Sequence, residues 1–229
     1  MTRSKPTVAL LLLISISLDL FGQKTDSAMG AMKVFRNPPV PVEVMAGNTY
    51  LNFQMIIIKH FSPTSKFGFF NVTTFNADYN NDKFKNESLI QSFLTFDLFK
   101  GISLNAGALL NSRTGFRPNA GLQYTLANRK LLLVLFPHID LTETYNFEIF
   151  SLLEFKPPIK GNWGLYTRLQ TVYNYNSKLG FHERSFINLR LGLSYKTFAF
   201  GLGDNVDYYG PNHDNTNNFG VFIKADLFN

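Results

Sequence analysis

The chain contains no cysteine. That excludes disulfides, thiolate nucleophiles, cysteine-ligated metals and a lipid-modified N-terminal cysteine. It has one tryptophan, Trp163, and no apolar run approaching the roughly 20 residues that a membrane-spanning helix needs. Charge is scarce and scattered. Asp, Glu, Lys and Arg together make up 17% of the 229 residues, and the net charge of +6 has no basic cluster behind it, so a nucleic-acid surface is not expected. His138, His182 and His213 have acidic residues nearby in sequence, but no spacing that marks a metal site, so neither metal nor cofactor is expected.

What the chain does have is phenylalanine, tyrosine and a period of two. There are 24 Phe and 10 Tyr. The stretch Ser185 to Lys196 shows the pattern most clearly. Ile187, Leu189, Leu191, Leu193 and Tyr195 fall on one side, and Asn188, Arg190, Gly192, Ser194 and Lys196 on the other. Successive side chains on a β-strand point to opposite faces, so this is a strand with one apolar and one polar face. The same sorting recurs from about Thr49 to the C-terminus. Each strand is about 9–13 residues, longer than the usual soluble strand and suited to a tilted crossing of a bilayer. A soluble barrel would turn the apolar face inward and the charges outward. Here the polar face is rich in Gly, Ser and Asn and carries both charge signs, which suits a crowded polar lumen. The fold expected is therefore all-β: a transmembrane antiparallel up-and-down β-barrel.

Met1 to about Gln23 reads as a secretory leader, with Arg3 and Lys5 before the short apolar run Val8 to Leu18 and a small residue at Gly22. Residues 24–47 contain Pro38, Pro39 and Pro41, which oppose regular structure. They are read as a first strand drawn from Ala28–Arg36 or nearby, as a tail, or as a plug. The barrel proper is expected over residues 48–229. About eleven strands are countable from Thr49. Loop parity, with an even strand number, favours about twelve, with ten as the fallback.

Aromatic residues on the apolar face gather at two heights. Phe155, Trp163, Tyr195 and Phe198 lie beside short turns, and Tyr145, Tyr173, Tyr175 and Tyr208 beside longer loops. Two interfacial girdles are what this placement predicts. A leader, alternating strands and the terminal Asp226-Leu227-Phe228 resemble bacterial outer-membrane β-barrels, in which the last strand ends on an aromatic residue; here Asn229 follows it. The Gln after a small residue and the Asn-, Phe- and Lys-rich composition resemble those of Bacteroidota. The resemblance implies export to the outer membrane, contact with its lipid, and no particular activity.

Five charged residues are expected to line the lumen: Glu148, Arg168, Arg190, Lys224 and Asp226. They could favour small anionic solutes in a narrow channel, or form an internal ion-pair network that fills a structural barrel. His138 and Asp140, two apart on one face, could join a serine such as Ser185 or Ser112 in a lipid-modifying hydrolase or acyltransferase, although no nucleophile motif surrounds either serine. External loops, notably Tyr209 to His213, could act as an adhesin-like binding surface. Asp204 falls in phase with Phe200 and Leu202, and the flanking Gly201 and Gly203 predict a bulge that turns it inward.

Overall fold

The computed structural model describes residues 37–228. Thirteen strands follow in order: β1 (Val40–Gly47), β2 (Tyr50–His60), β3 (Phe67–Asp78), β4 (Glu87–Phe99), β5 (Ile102–Asn111), β6 (Gly115–Ala127), β7 (Leu131–Asp140), β8 (Phe147–Phe155), β9 (Pro158–Lys160), β10 (Trp163–Asn176), β11 (Phe181–Tyr195), β12 (Phe198–Tyr209) and β13 (Asp214–Leu227). β9 is a three-residue strand that pairs with β10 alone. The other twelve form a continuous antiparallel ring, in which β13 pairs with β1 and β8 with β10. Closure leaves no free sheet edge, which a bilayer-spanning sheet requires.

The outer surface is what a bilayer selects. Leu191 is 60% exposed while its neighbour Arg190 is 3% exposed. A soluble protein would reverse that order. Leu189, Leu193, Phe200, Leu202, Val221 and Ile223 share the outer face of β11–β13. The structure places all eight aromatic residues of the expected girdles on the outside. Trp163 and Tyr195 meet there at 4.8 Å between ring centroids.

Three expectations change. The extra strand is Val40–Gly47, inside the proline-containing segment that was set apart from the barrel; Ala28–Arg36 lies outside the described residues. Pro41 is tolerated because it sits at the start of β1, below the first β1–β2 pair at Val42 and Met55. The external loops are also shorter than they read, since β11 begins at Phe181 and β13 at Asp214. Finally, β12 carries no bulge. Its register with β11 and β13 is unbroken, so Asp204 stays outside between Leu189 and Phe219, where Asn217 Nδ2 donates to its carboxylate at 2.7 Å. Four residues from Tyr208, it reaches up toward the polar rim.

Glycine is required at several inner-face positions where a neighbouring strand's backbone lies close. A Cβ on Gly107 of β5 would lie 2.0 Å from Ser92 O, one on Gly220 of β13 2.0 Å from Ala46 O, and one on Gly192 of β11 2.1 Å from Phe200 O. Elsewhere the inner side chains of β2–β4 meet those of β7, β8 and β10. Phe93 and Phe136 approach to 4.8 Å between centroids, and Phe70 and Phe136 to 5.8 Å. Ile56, Val72, Val134, Phe150, Leu152 and Val172 complete a buried apolar cluster inside the barrel. This explains the imperfect alternation of Phe67 to Tyr79: β3 has no bulge, but Phe70 and Val72 point into a lumen that is apolar on that side. Gly220→Ala should cost about 1–3 kcal/mol, the usual range for overpacking. Urea unfolding in liposomes measures it, and an unchanged midpoint would mean that the backbone at Ala46 gives way freely.

Candidate functional site

The mid-lumen is organised by two arginines placed side by side. Arg168 of β10 and Arg190 of β11 are direct cross-strand partners. Like charges in that relation repel. They are held by Glu43 of β1, whose Oε1 accepts from Arg168 Nη2 at 2.7 Å and from Arg190 Nε at 2.8 Å. Arg190 Nη1 also donates to Asn205 Oδ1 and to Leu189 O, each at 2.8 Å, and its guanidinium lies over Phe222. All three charged side chains are buried. The group carries one net positive charge. Glu43 Oε2, Arg168 Nε and Arg190 Nη2 have no hydrogen-bond partner within the protein. Glu43 was not among the residues singled out from sequence. Its signal was the alternation of Val40, Val42, Val44 and Ala46 with Pro41, Glu43 and Met45, which the prolines obscured.

Toward the end where β1 begins and β13 finishes, Lys224 Nζ contacts Glu154 Oε2 at 2.8 Å and Asp226 Oδ1 at 3.1 Å. Lys156 Nζ contacts the same two carboxylates, at 3.2 Å and 2.9 Å. The Tyr166 hydroxyl donates to Glu154 Oε2 at 2.9 Å. Toward the other end the balance is acidic. Arg184 binds Glu87 and Asp207, and Arg117 binds Asp140 and Glu183. Glu148 accepts from Gln91 at 3.1 Å and Asn174 at 2.8 Å. Arg113 also lines this end of the lumen, so among the described residues of this layer three arginines stand against five carboxylates.

The lumen-lining residues expected from sequence all point inward, but they divide among these layers. Arg168 and Arg190 come together, as do Lys224 and Asp226. Glu148 belongs to the acidic layer and lies 3.4 Å from His138 rather than beside the arginines. His138 is buried and stacked on Phe136 at 4.5 Å between centroids, while Asp140 bonds Arg117 and Asn119. The two are not joined to each other or to a serine; Ser185 instead contacts His182 Nε2 at 3.0 Å. The geometry does not assemble the hydrolytic triad. Among the described residues no group of three His, Asp or Glu side chains is placed to hold a metal ion. The loop from Tyr209 to His213 is a tight turn between β12 and β13 and offers little binding surface.

The lumen holds space toward both of its ends. A cavity of about 120 Å³ adjoins Arg117, Asp140, Glu183 and Arg184, and one of about 400 Å³ opens at the end where β1 begins and β13 finishes. Between them stand the phenylalanine cluster and the Glu43–Arg168–Arg190 group, flanked by buried Met45, Tyr166 and Phe222. Buried side chains fill this level.

No protein-family model matches the chain, and no curated protein matches it. Among solved structures it is similar to the NanC porin, at 11% identity and a TM-score of 0.48 over 84% of this chain and 100% of that one. It is likewise similar to the KdgM porin, at 11% identity and a TM-score of 0.46 over 82% of this chain and 99% of that one. A further structure, of the KdgM porin in complex with disordered oligogalacturonate, aligns at 11% identity and a TM-score of 0.45, over 82% of this chain and 99% of that one. These likenesses are of fold.

Proposed function

We propose that this protein is a small outer-membrane channel, with a narrow passage whose ion preference is set at mid-height. The observation that carries this reading is the Glu43–Arg168–Arg190 group: two guanidiniums against one carboxylate at a mid-height filled by buried side chains, with nitrogens left unpartnered. A charge in a constricted, poorly hydrated site acts on a passing ion more strongly than one at a wide mouth. Small anionic solutes are the class that a net positive constriction favours, even beneath an acidic outer layer. A leader over residues 1–23, cleaved on export, would deliver the barrel to that membrane, where lipid contacts the outer face. The composition supports a Bacteroidota source. The end where β1 begins and β13 finishes would then face the periplasm.

Planar-bilayer recording tests this. Wild-type protein should give small discrete steps with anion preference. Arg190→Gln leaves Glu43 paired with Arg168 alone, a neutral constriction under an acidic layer, so the preference should turn toward cations. A unit charge at about 8–15 Å and an effective dielectric constant of about 20 contributes roughly 1–2 kcal/mol. That corresponds to a change of about five- to thirtyfold in the permeability of a monovalent ion, opposite in sense for anion and cation. No steps at any voltage, or a cation preference that Arg190→Gln leaves unchanged, would overturn the reading.

A further inference from the structure

The cavity of about 400 Å³ at the end where β1 begins and β13 finishes has two unlike walls. One is apolar: Ile56 and Ile58 from β2, Leu132 from β7 and Leu152 from β8. The other is charged: Lys156 and Lys224, with Arg168 at the inner end. Glu154 and Asp226 stand among them and balance the two lysines, and Arg168 shares Glu43 with Arg190, so the surplus positive charge is that of the arginine pair and of the mouth. Arg129 and Lys130 add positive charge at the mouth. Arg168 is 4% exposed, and its Nε has no partner within the protein. A buried guanidinium nitrogen left unpaired is costly, and a ligand acceptor would remove that cost.

We propose that this cavity binds an amphiphilic monoanion, such as an aryl- or alkyl-carboxylate, entering from the end where β1 begins and β13 finishes. The carboxylate lies among Lys156, Lys224 and Arg168, where charge-assisted hydrogen bonds form. The apolar body lies against Ile56, Ile58, Leu132 and Leu152. The size is within the range of small-molecule sites, and a mostly apolar lining with a few convergent polar groups is their usual make-up. A purely polar anion would leave the apolar wall in water, and an uncharged amphiphile would leave the charged wall unanswered. The proposal goes beyond conduction, because a site at the mouth can bind whether or not the constriction passes ions.

Calorimetric titration of 4-phenylbutyrate into nanodiscs containing the protein, with empty nanodiscs subtracted, tests it. Saturable one-site binding is expected. Acetate, which has the head alone, and 4-phenylbutanol, which has the body without charge, should each bind at least about tenfold more weakly, since losing either wall removes about 1.4 kcal/mol or more. Lys156→Gln should weaken phenylbutyrate by a similar factor. Lys156 is partly exposed, so this variant should keep the heat-modifiable gel shift of a folded barrel. Ile58→Asn tests the apolar wall in the same way. No saturable binding, equal binding of 4-phenylbutanol, or unchanged binding by both variants would overturn the proposal. Binding without conductance would retain it and sink the channel reading; conductance without binding would do the reverse.

Discussion

Glu43→Ala is expected to destabilise the folded barrel by about 3–5 kcal/mol, the cost of leaving buried charges without their counterion. The carboxylate accepts from both guanidiniums and is itself almost wholly buried. Without it, Arg168 and Arg190 would face each other as cross-strand neighbours in a low-dielectric setting. Urea unfolding in liposomes measures the loss, with Trp163 as the reporter, since it is the chain's one tryptophan. The triple variant Glu43→Met, Arg168→Met, Arg190→Met should regain most of it, because removing the whole group also removes its desolvation penalty. A loss below about 1 kcal/mol in Glu43→Ala would show that water solvates the arginines as well as Glu43 does. The constriction would then be wet and wide.

Leu191→Arg should cost about 2–4 kcal/mol, the range for a cation on the lipid face near the bilayer midplane. Leu191 is directly beside Arg190 in sequence, four residues before Tyr195, and projects from the outer face of β11. The two positions differ by one step of the pleat and by the whole contrast between hydrocarbon and lumen. The same urea assay reads the effect. An unchanged unfolding midpoint for Leu191→Arg would mean that this face does not meet hydrocarbon, and the membrane-spanning reading would fall with it. The comparison also bears on Asp204, which faces outward nearer the rim and is met by Asn217. Placed closer to the interface and able to reach the rim, its carboxylate should be tolerated better than a cation at Leu191.

The sequence by itself determined which face of most strands points outward. A side chain's direction is decided by its immediate neighbours through the pleat, so Ser185 to Lys196 could be sorted without any knowledge of the fold. The strand number of twelve also followed, from loop parity and the even count usual in such barrels. What reached across the lumen did not. Arg190 meets a glutamate 147 residues away, and nothing local to either residue specifies that contact. It depends on ring closure and register, which are properties of all twelve strands together. The same holds for β3. Its alternation read as flawed because Phe70 and Val72 fall on the polar-facing phase, yet Phe136 and Phe150 from other strands pack against Phe70 inside the barrel. Asp204 is the reverse case: flanking glycines implied a bulge, and an unbroken register with β11 and β13 held it outside. Local pattern fixes the face on which a residue lies. Only closure of the barrel fixes what it meets there.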